Sequence, residues 1–260
     1  MIGLPPERAG HPLPPDLAAM RAGMAAQRDA GVYRVEPAPE EIVLGRRRAL
    51  RLGPDNPRGR VLHLHGGGFR NGVPEMEAPY AARLIAATGV EVVLPEYGLA
   101  SDHPFPTGLI DAWAVLQDYA ARVPGAAPIV SGQSAGGGLA ASLAVMAADQ
   151  GLPLAGLVLI APWLDLTVTA PAYEGNRETD PLFSRESAAR AADLYLQGSD
   201  PRHPLASPLF APVEGLPPTF IAVGGGEVLH DDASRFHARL GRAGVPSELL
   251  VVPGMEHVAV

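Results

Sequence analysis

Apolar positions along the chain alternate between short, nearly continuous runs and longer stretches with helical spacing. The runs at 60–65, 90–94, 154–160 and 219–223, with Ile129-Val130 between them, read as strands buried on both faces of a parallel sheet. Stretches at 74–88, 109–121, 139–148 and 185–196 repeat their apolar residues every three or four positions, which predicts helices between those strands. A further helix starts at Asp231 or Asp232, and a last strand covers 248–252. Strand and helix in alternation imply an α/β fold with a doubly wound, mostly parallel sheet.

The ends of the chain depart from that rhythm. Residues 1–15 carry five prolines and are expected to lie extended over a surface. Leu17, Met20 and Met24 then mark a lone amphipathic helix over 16–30, stopped by Gly31, with no strand beside it in sequence. It must cover something or pair with another chain, and a cap over the active site is the favoured role. Residues 41–52 predict a hairpin of edge strands around Gly45-Arg46, with Arg46-Arg47-Arg48 as a solvated turn. The alternation lapses again over 162–181, the kind of irregular segment that serves as a lid or binding loop. The division expected is an N-terminal cap segment, 1–40, and one catalytic domain, 41–260, with no internal repeat.

Composition narrows the class. Of 260 residues, 47% are hydrophobic and 18% charged, the balance of a globular chain with a sizeable core. A net charge of −8 argues against nucleic acid or an anionic membrane as partner. All 20 basic residues are arginine, which excludes lysine Schiff bases and Ser-Lys chemistry. No cysteine is present, so disulfides and thiolate nucleophiles are excluded too. There is no signal-peptide h-region and no apolar run near the roughly 18 residues of a membrane span, so a cytoplasmic protein is expected.

The chemistry gathers at three strand ends. Residues 128–138 read Pro-Ile-Val-Ser-Gly-Gln-Ser-Ala-Gly-Gly-Gly, and Gly132-Gln133-Ser134-Ala135-Gly136 fits the G-x-S-x-G of a nucleophile turn. A strand turning at once into a helix strains the serine backbone, and a side chain two residues to either side would collide with the turn. The strand at 60–65 runs into Gly66-Gly67-Gly68-Phe69, where backbone N–H groups can approach a ligand oxygen with no Cβ in the way. His63 and His65 share that strand, but no third ligand with metal spacing follows. Finally, the strand at 219–223 ends at Gly224-Gly225-Gly226-Glu227, and the turn Pro253-Gly254 delivers Met255-Glu256-His257.

Ser134, Glu227 and His257 thus stand in the order serine, acid, histidine. A serine hydroxyl needs a base to take its proton, imidazole titrates near neutrality, and a carboxylate on the far ring nitrogen fixes the tautomer. The amides of Gly67, Gly68 and Ala135 are the candidate oxyanion donors, each worth about 2.7–4 kcal/mol to the transition state. Asp231 is the alternative acid; with Asp232 its simpler role is capping the following helix.

These residues together resemble the hormone-sensitive-lipase-like carboxylesterases, the HGGG and GDSAG group of α/β-hydrolases. His65-Gly66-Gly67-Gly68-Phe69 and Gly132-Gln133-Ser134-Ala135-Gly136-Gly137 match its two signatures, and residues 97–106 (YGLASDHPFP) are similar to its YRLAPEHPFP segment. Ala161-Pro162-Trp163-Leu164-Asp165-Leu166 and Met255-Glu256-His257 also fit, so the likeness runs from about residue 60 to the end. The resemblance implies a catalytic Ser134, a base at His257, an oxyanion hole from Gly67, Gly68 and Ala135, and an N-terminal helical cap. It implies no cofactor and no metal.

Four departures stand out. Gln133 replaces an aspartate, Gly98 replaces an arginine, and the acid motif reads Glu227-Val228-Leu229-His230-Asp231. The chain also ends three residues after His257, where the family continues into a final helix. Exposed apolar sheet and a poorly anchored histidine loop are the expectations that follow, with the chain either shortened or covered there by a partner chain such as a homodimer mate. The expected activity is serine carboxylesterase action on small-molecule esters of short to medium acyl chain, with the cap helix and residues 163–181 forming the pockets. An amidase or natural-product deacetylase of the same fold, and a non-catalytic small-molecule binder, are the alternatives.

Overall fold

Leucine and valine runs that bury both faces become the central strands of an eight-stranded sheet. The computed structural model describes residues 2–255 and 257. In chain order the elements are α1 (Pro15–Asp29), β1 (Glu40–Leu44), β2 (Arg47–Leu52), β3 (Arg60–Leu64), α2 (Ala78–Thr88) and β4 (Glu91–Pro95). Then come α3 (Thr107–Ala121), β5 (Ile129–Gln133), α4 (Ala135–Gln150), β6 (Gly156–Ile160) and the short α5 (Ala172–Gly175). The chain closes with α6 (Arg185–Leu196), β7 (Thr219–Gly224), α7 (His230–Arg242) and β8 (Ser247–Val252).

The strand order is β1-β2-β4-β3-β5-β6-β7-β8. β2 pairs antiparallel with both neighbours, and every pairing from β4 to β8 is parallel. Side chains alternate across the pleat and sort the helices onto two faces. Leu62, Leu64, Leu157 and Ile221 pack with α3, α4, α6 and α7 in the main core. Val61, Val92 and Leu94 face the other way and pack with Ala78 and Ala81 of α2. From β3 the chain winds out to β4 and then returns to β5 on the opposite side of β3. That reversal opens a crevice at the carboxyl ends of β3 and β5, the place where α/β sheets bind ligands.

Two details differ from the sequence reading. Only β1 of the hairpin is an edge strand, since β2 also pairs with β4. The arginine run is not a solvated turn: Arg47 and Arg48 lie on β2, where Arg48 meets Glu41, Glu75 and Glu96 at 2.7, 2.6 and 2.8 Å. Three carboxylates from separate segments converge there, a partnership no local pattern could announce. Among the described residues, no helix is long and apolar enough to cross a membrane. Leu250 and Val251 of β8 are 47% and 38% exposed; the expectations attached to Glu256 and to the chain end at Val260 fall outside the described residues.

Candidate active site

The turn from β5 into α4 holds Ser134 at φ 52° and ψ −122°, a left-handed region that non-glycine residues rarely occupy. Small neighbours make this conformation attainable. A Cβ on Gly132 would stand 2.2 Å from the Gly136 carbonyl oxygen, and one on Gly136 would stand 2.2 Å from the Leu64 and His65 oxygens. The Ser134 N–H donates to Ile160 O at 2.9 Å, while its carbonyl accepts from Trp163 N at 3.0 Å. The hydroxyl is thereby fixed at the sheet's rim, with the residue 7% exposed.

His257 completes the line. Its Nε2 lies 3.0 Å from Ser134 Oγ, and its Nδ1 lies 2.7 Å from Glu227 Oε2. A carboxylate can only accept, so Nδ1 carries the proton and Nε2 is left to accept from the serine hydroxyl. The other Glu227 oxygen accepts the Gly224 N–H at 2.6 Å. The carboxylate is fully buried, and the imidazole stacks on Phe183 with ring centroids 5.6 Å apart. Asp231, the alternative acid, is engaged elsewhere: its Oδ2 accepts the Ala172 N–H at 2.9 Å.

The glycine turn after β3 lies across the crevice, and Gly66, Gly67 and Gly68 line the same cleft as Ser134. Gly67 sits at φ 115°, where a Cβ would meet Asn71 O at 1.8 Å, so this position requires glycine. Among the described residues, no protein acceptor takes the N–H groups of Gly67, Gly68 or Ala135. His65 supports the turn. Its Nδ1–H donates to Gly66 O at 2.7 Å, Tyr97 stacks on it, and Tyr97 Oη donates to the His65 carbonyl at 2.7 Å. Burial pulls the His65 imidazole below its usual pKa and keeps it neutral. His63 is likewise internal, with Nδ1 3.0 Å from Ser131 Oγ and Nε2 3.3 Å from Glu77. Glu77 also accepts from Gln133 Nε2, so the amide beside Ser134 is tied into a network where the family has an aspartate.

The cleft measures about 420 Å³, and Met20, Met76, Leu182 and Phe183 supply its apolar walls. α1 thus reaches the site through Met20, but residues 163–181 do not line the cleft. They are tied instead to α7 and to the turn at Glu227-Val228. Asp232 Oδ2 accepts from Leu164 N and Asp165 N at 2.8 and 2.9 Å, and Asp180 Oδ2 accepts from Val228 N at 3.0 Å. Asn176 Nδ2 donates to the Glu227 carbonyl at 2.7 Å. Asp231 and Asp232 therefore anchor the loop and do not cap α7, which has no side-chain cap. Burial pushes the Asp232 carboxyl up to about 8, with Asp165 adding to the rise. A larger cavity of about 780 Å³, lined by Arg60, Glu91 and Tyr119 among others, holds none of Ser134, Glu227 and His257.

Sheet order, nucleophile turn and hydrogen-bonded Ser–His–Glu line are those of an α/β-hydrolase. A family profile described as the alpha/beta hydrolase fold matches residues 61–260. An acetyl-hydrolase of Streptomyces hygroscopicus is 35% identical over 225 residues, covering 85% of this chain and 75% of the relative. An esterase of Acinetobacter venetianus is 35% identical over 200 residues, covering 75% of this chain and 65% of the relative. Among solved structures, an esterase/lipase from an uncultured bacterium superposes with a TM-score of 0.85 at 33% identity, over 98% of this chain and 85% of that one. An esterase from the bacterial hormone-sensitive lipase family gives a TM-score of 0.82 at 32% identity, over 96% and 91%. The chain belongs to the hormone-sensitive-lipase-like esterases of the α/β-hydrolase fold.

Proposed function

We propose that this chain is a serine carboxylesterase that hydrolyses short- to medium-chain esters, with Ser134 as nucleophile, His257 as base and Glu227 as the orienting acid. The carrying observation is the unbroken hydrogen-bonded line from Ser134 Oγ through His257 to Glu227. In this reading Ser134 Oγ attacks the ester carbonyl as its proton passes to His257 Nε2. Charge growing on the carbonyl oxygen is met by the N–H groups of Gly67, Gly68 and Ala135. Collapse of the tetrahedral intermediate expels the alcohol, which takes the proton from His257. Water, activated by the same imidazole, then attacks the acyl-enzyme and restores Ser134. Glu227 stabilises the imidazolium in both halves.

Residues 1–40 act as a cap segment on the catalytic domain of 41–260, with Met20 as their contact to the bound ester. The cleft's size suits small acyl groups, and its apolar walls suit their hydrocarbon. A passive binder would have no use for an imidazole held between serine and a buried carboxylate. Amidase or deacetylase action would use the same residues, and substrate comparison separates them from esterase action. The test is hydrolysis of p-nitrophenyl acetate and butyrate against the corresponding anilides. Turnover of the esters, abolished by Ser134→Ala, supports the reading. Anilide turnover above ester turnover would overturn it in favour of the amidase.

A further inference from the structure

One charge in the cleft has no role in ester cleavage as described above. Arg70 follows the Gly66-Gly67-Gly68-Phe69 turn directly and lines the cleft with Ser134. Its side chain runs alongside the turn. A Cβ placed on Gly68 would lie 3.5 Å from Arg70 Nε and 3.5 Å from Ala191 Cβ of α6. The only hydrogen bond of its guanidinium among the described residues runs from Nη2 to the neutral Ser187 hydroxyl, at 3.0 Å. One of five N–H donors is engaged.

Among the described residues no carboxylate pairs with this charge; Asp16, already bound to Arg190, attracts it less than Arg190 repels it. Asp and Glu are absent from the described cleft lining, and Arg70 forms no ion pair among the described residues. The nearby arginines are matched instead: Arg21 with Asp102, Arg190 with Asp16, and Arg185 with Glu174. Arg190 adds repulsion to the partial desolvation that Arg70 already suffers. A guanidinium kept half-buried and unpaired beside a reaction centre is unfavourable unless a ligand anion completes it. Its planar fork matches the two oxygens of a carboxylate.

Resting on the esterase reading, we propose that Arg70 is a specificity determinant that selects esters bearing a carboxylate group. The ester carbonyl sits between Ser134 and the glycine turn while the substrate's own anion pairs with Arg70, and Met20, Met76, Leu182 and Phe183 take up the hydrocarbon. Charge on the acyl side and charge on the alcohol side are the two ways such an ester can meet the same guanidinium.

The experiment compares kcat/KM for matched anionic and neutral esters in the wild type, Arg70→Met, Arg70→Gln, Arg70→Lys and Ser134→Ala. Monoethyl against diethyl glutarate reads the acyl side; 4-acetoxybenzoate against its methyl ester reads the alcohol side. The quantity read is the anionic-to-neutral ratio within each pair, which a general packing defect would not move. The expected result is a ratio that falls on the order of tenfold to a hundredfold in Arg70→Met and Arg70→Gln for at least one pair, the range of a charge-assisted hydrogen bond. The fall should lie mainly in KM, with partial recovery in Arg70→Lys. Equal ratios in the wild type and both neutral variants, with neutral esters still turned over, would overturn the role of Arg70 alone. Turnover of no ester above the Ser134→Ala rate would overturn the esterase reading and this inference with it.

Discussion

Glu227 is fully buried, and its Oε2 accepts from His257 Nδ1 at 2.7 Å while its Oε1 accepts from Gly224 N. The carboxylate is thus clamped to the end of β7 and can only meet the imidazole in one orientation. Glu227→Gln keeps the shape but can turn an N–H toward Nδ1, favouring the wrong imidazole tautomer. Its kcat for p-nitrophenyl butyrate should fall about 10⁴-fold. Asp231→Asn, which touches only the contacts to Ala172 and His230 and not the imidazole of His257, should cost less than about tenfold, as changes away from a key interaction usually do. The reverse ranking would reassign the acid.

The proposed oxyanion role of the glycine turn after β3 makes an independent demand. Gly67→Ala would need a Cβ 1.8 Å from Asn71 O, at a φ of 115°, so the turn must shift and carry its N–H groups out of place. kcat should drop on the order of 10²- to 10³-fold, the cost of one lost oxyanion donor. Circular dichroism checks that the variant is folded. Unchanged kcat in a folded Gly67→Ala protein would remove this turn from catalysis.

Asp232 sets a pH dependence of stability. Its carboxyl is held up to about 8 in the fold by burial, against an ordinary value of 3.8. Between those values the folded chain holds a proton that the unfolded chain has released, so this group's contribution to stability declines as pH rises from about 4 to 8 and is flat above. Asp232→Asn can still accept from Leu164 and Asp165 but cannot ionise. Thermal melts at pH 5, 6, 7 and 8 should show a shallower decline for Asp232→Asn than for the wild type. Parallel declines would contradict the assignment.

What was legible in the sequence is what the backbone dictates locally. The Ser134 turn, the glycine run after β3 and the order Ser134, Glu227, His257 all depend on residues adjacent in the chain or fixed at strand ends, and buried strands announce themselves by continuous apolar runs. What was not legible depends on partners far apart in sequence. Asp231 and Asp232 look like helix caps from their neighbours, yet they hold residues 164–172, some sixty positions away. The same contacts withdraw 163–181 from the cleft, whose walls come instead from Met20, Met76 and residues 182–183. Arg48 is of the same kind, its three carboxylates being contributed by β1, the 3₁₀ turn at Pro74–Glu77 and the residue after β4. Arg70 had a signal in plain view, a charge directly after a glycine turn, but that no carboxylate among the described residues pairs with it is visible only in three dimensions.

The central claim is that ester hydrolysis passes through an acyl group on Ser134. Rapid mixing with p-nitrophenyl butyrate reads this most directly, because acylation releases nitrophenol before deacylation can limit the rate. A burst approaching one nitrophenol per chain, with a butyryl mass increment mapped to Ser134 and both lost in Ser134→Ala, is the predicted result. Steady hydrolysis that persists in Ser134→Ala with no acylated serine would contradict it.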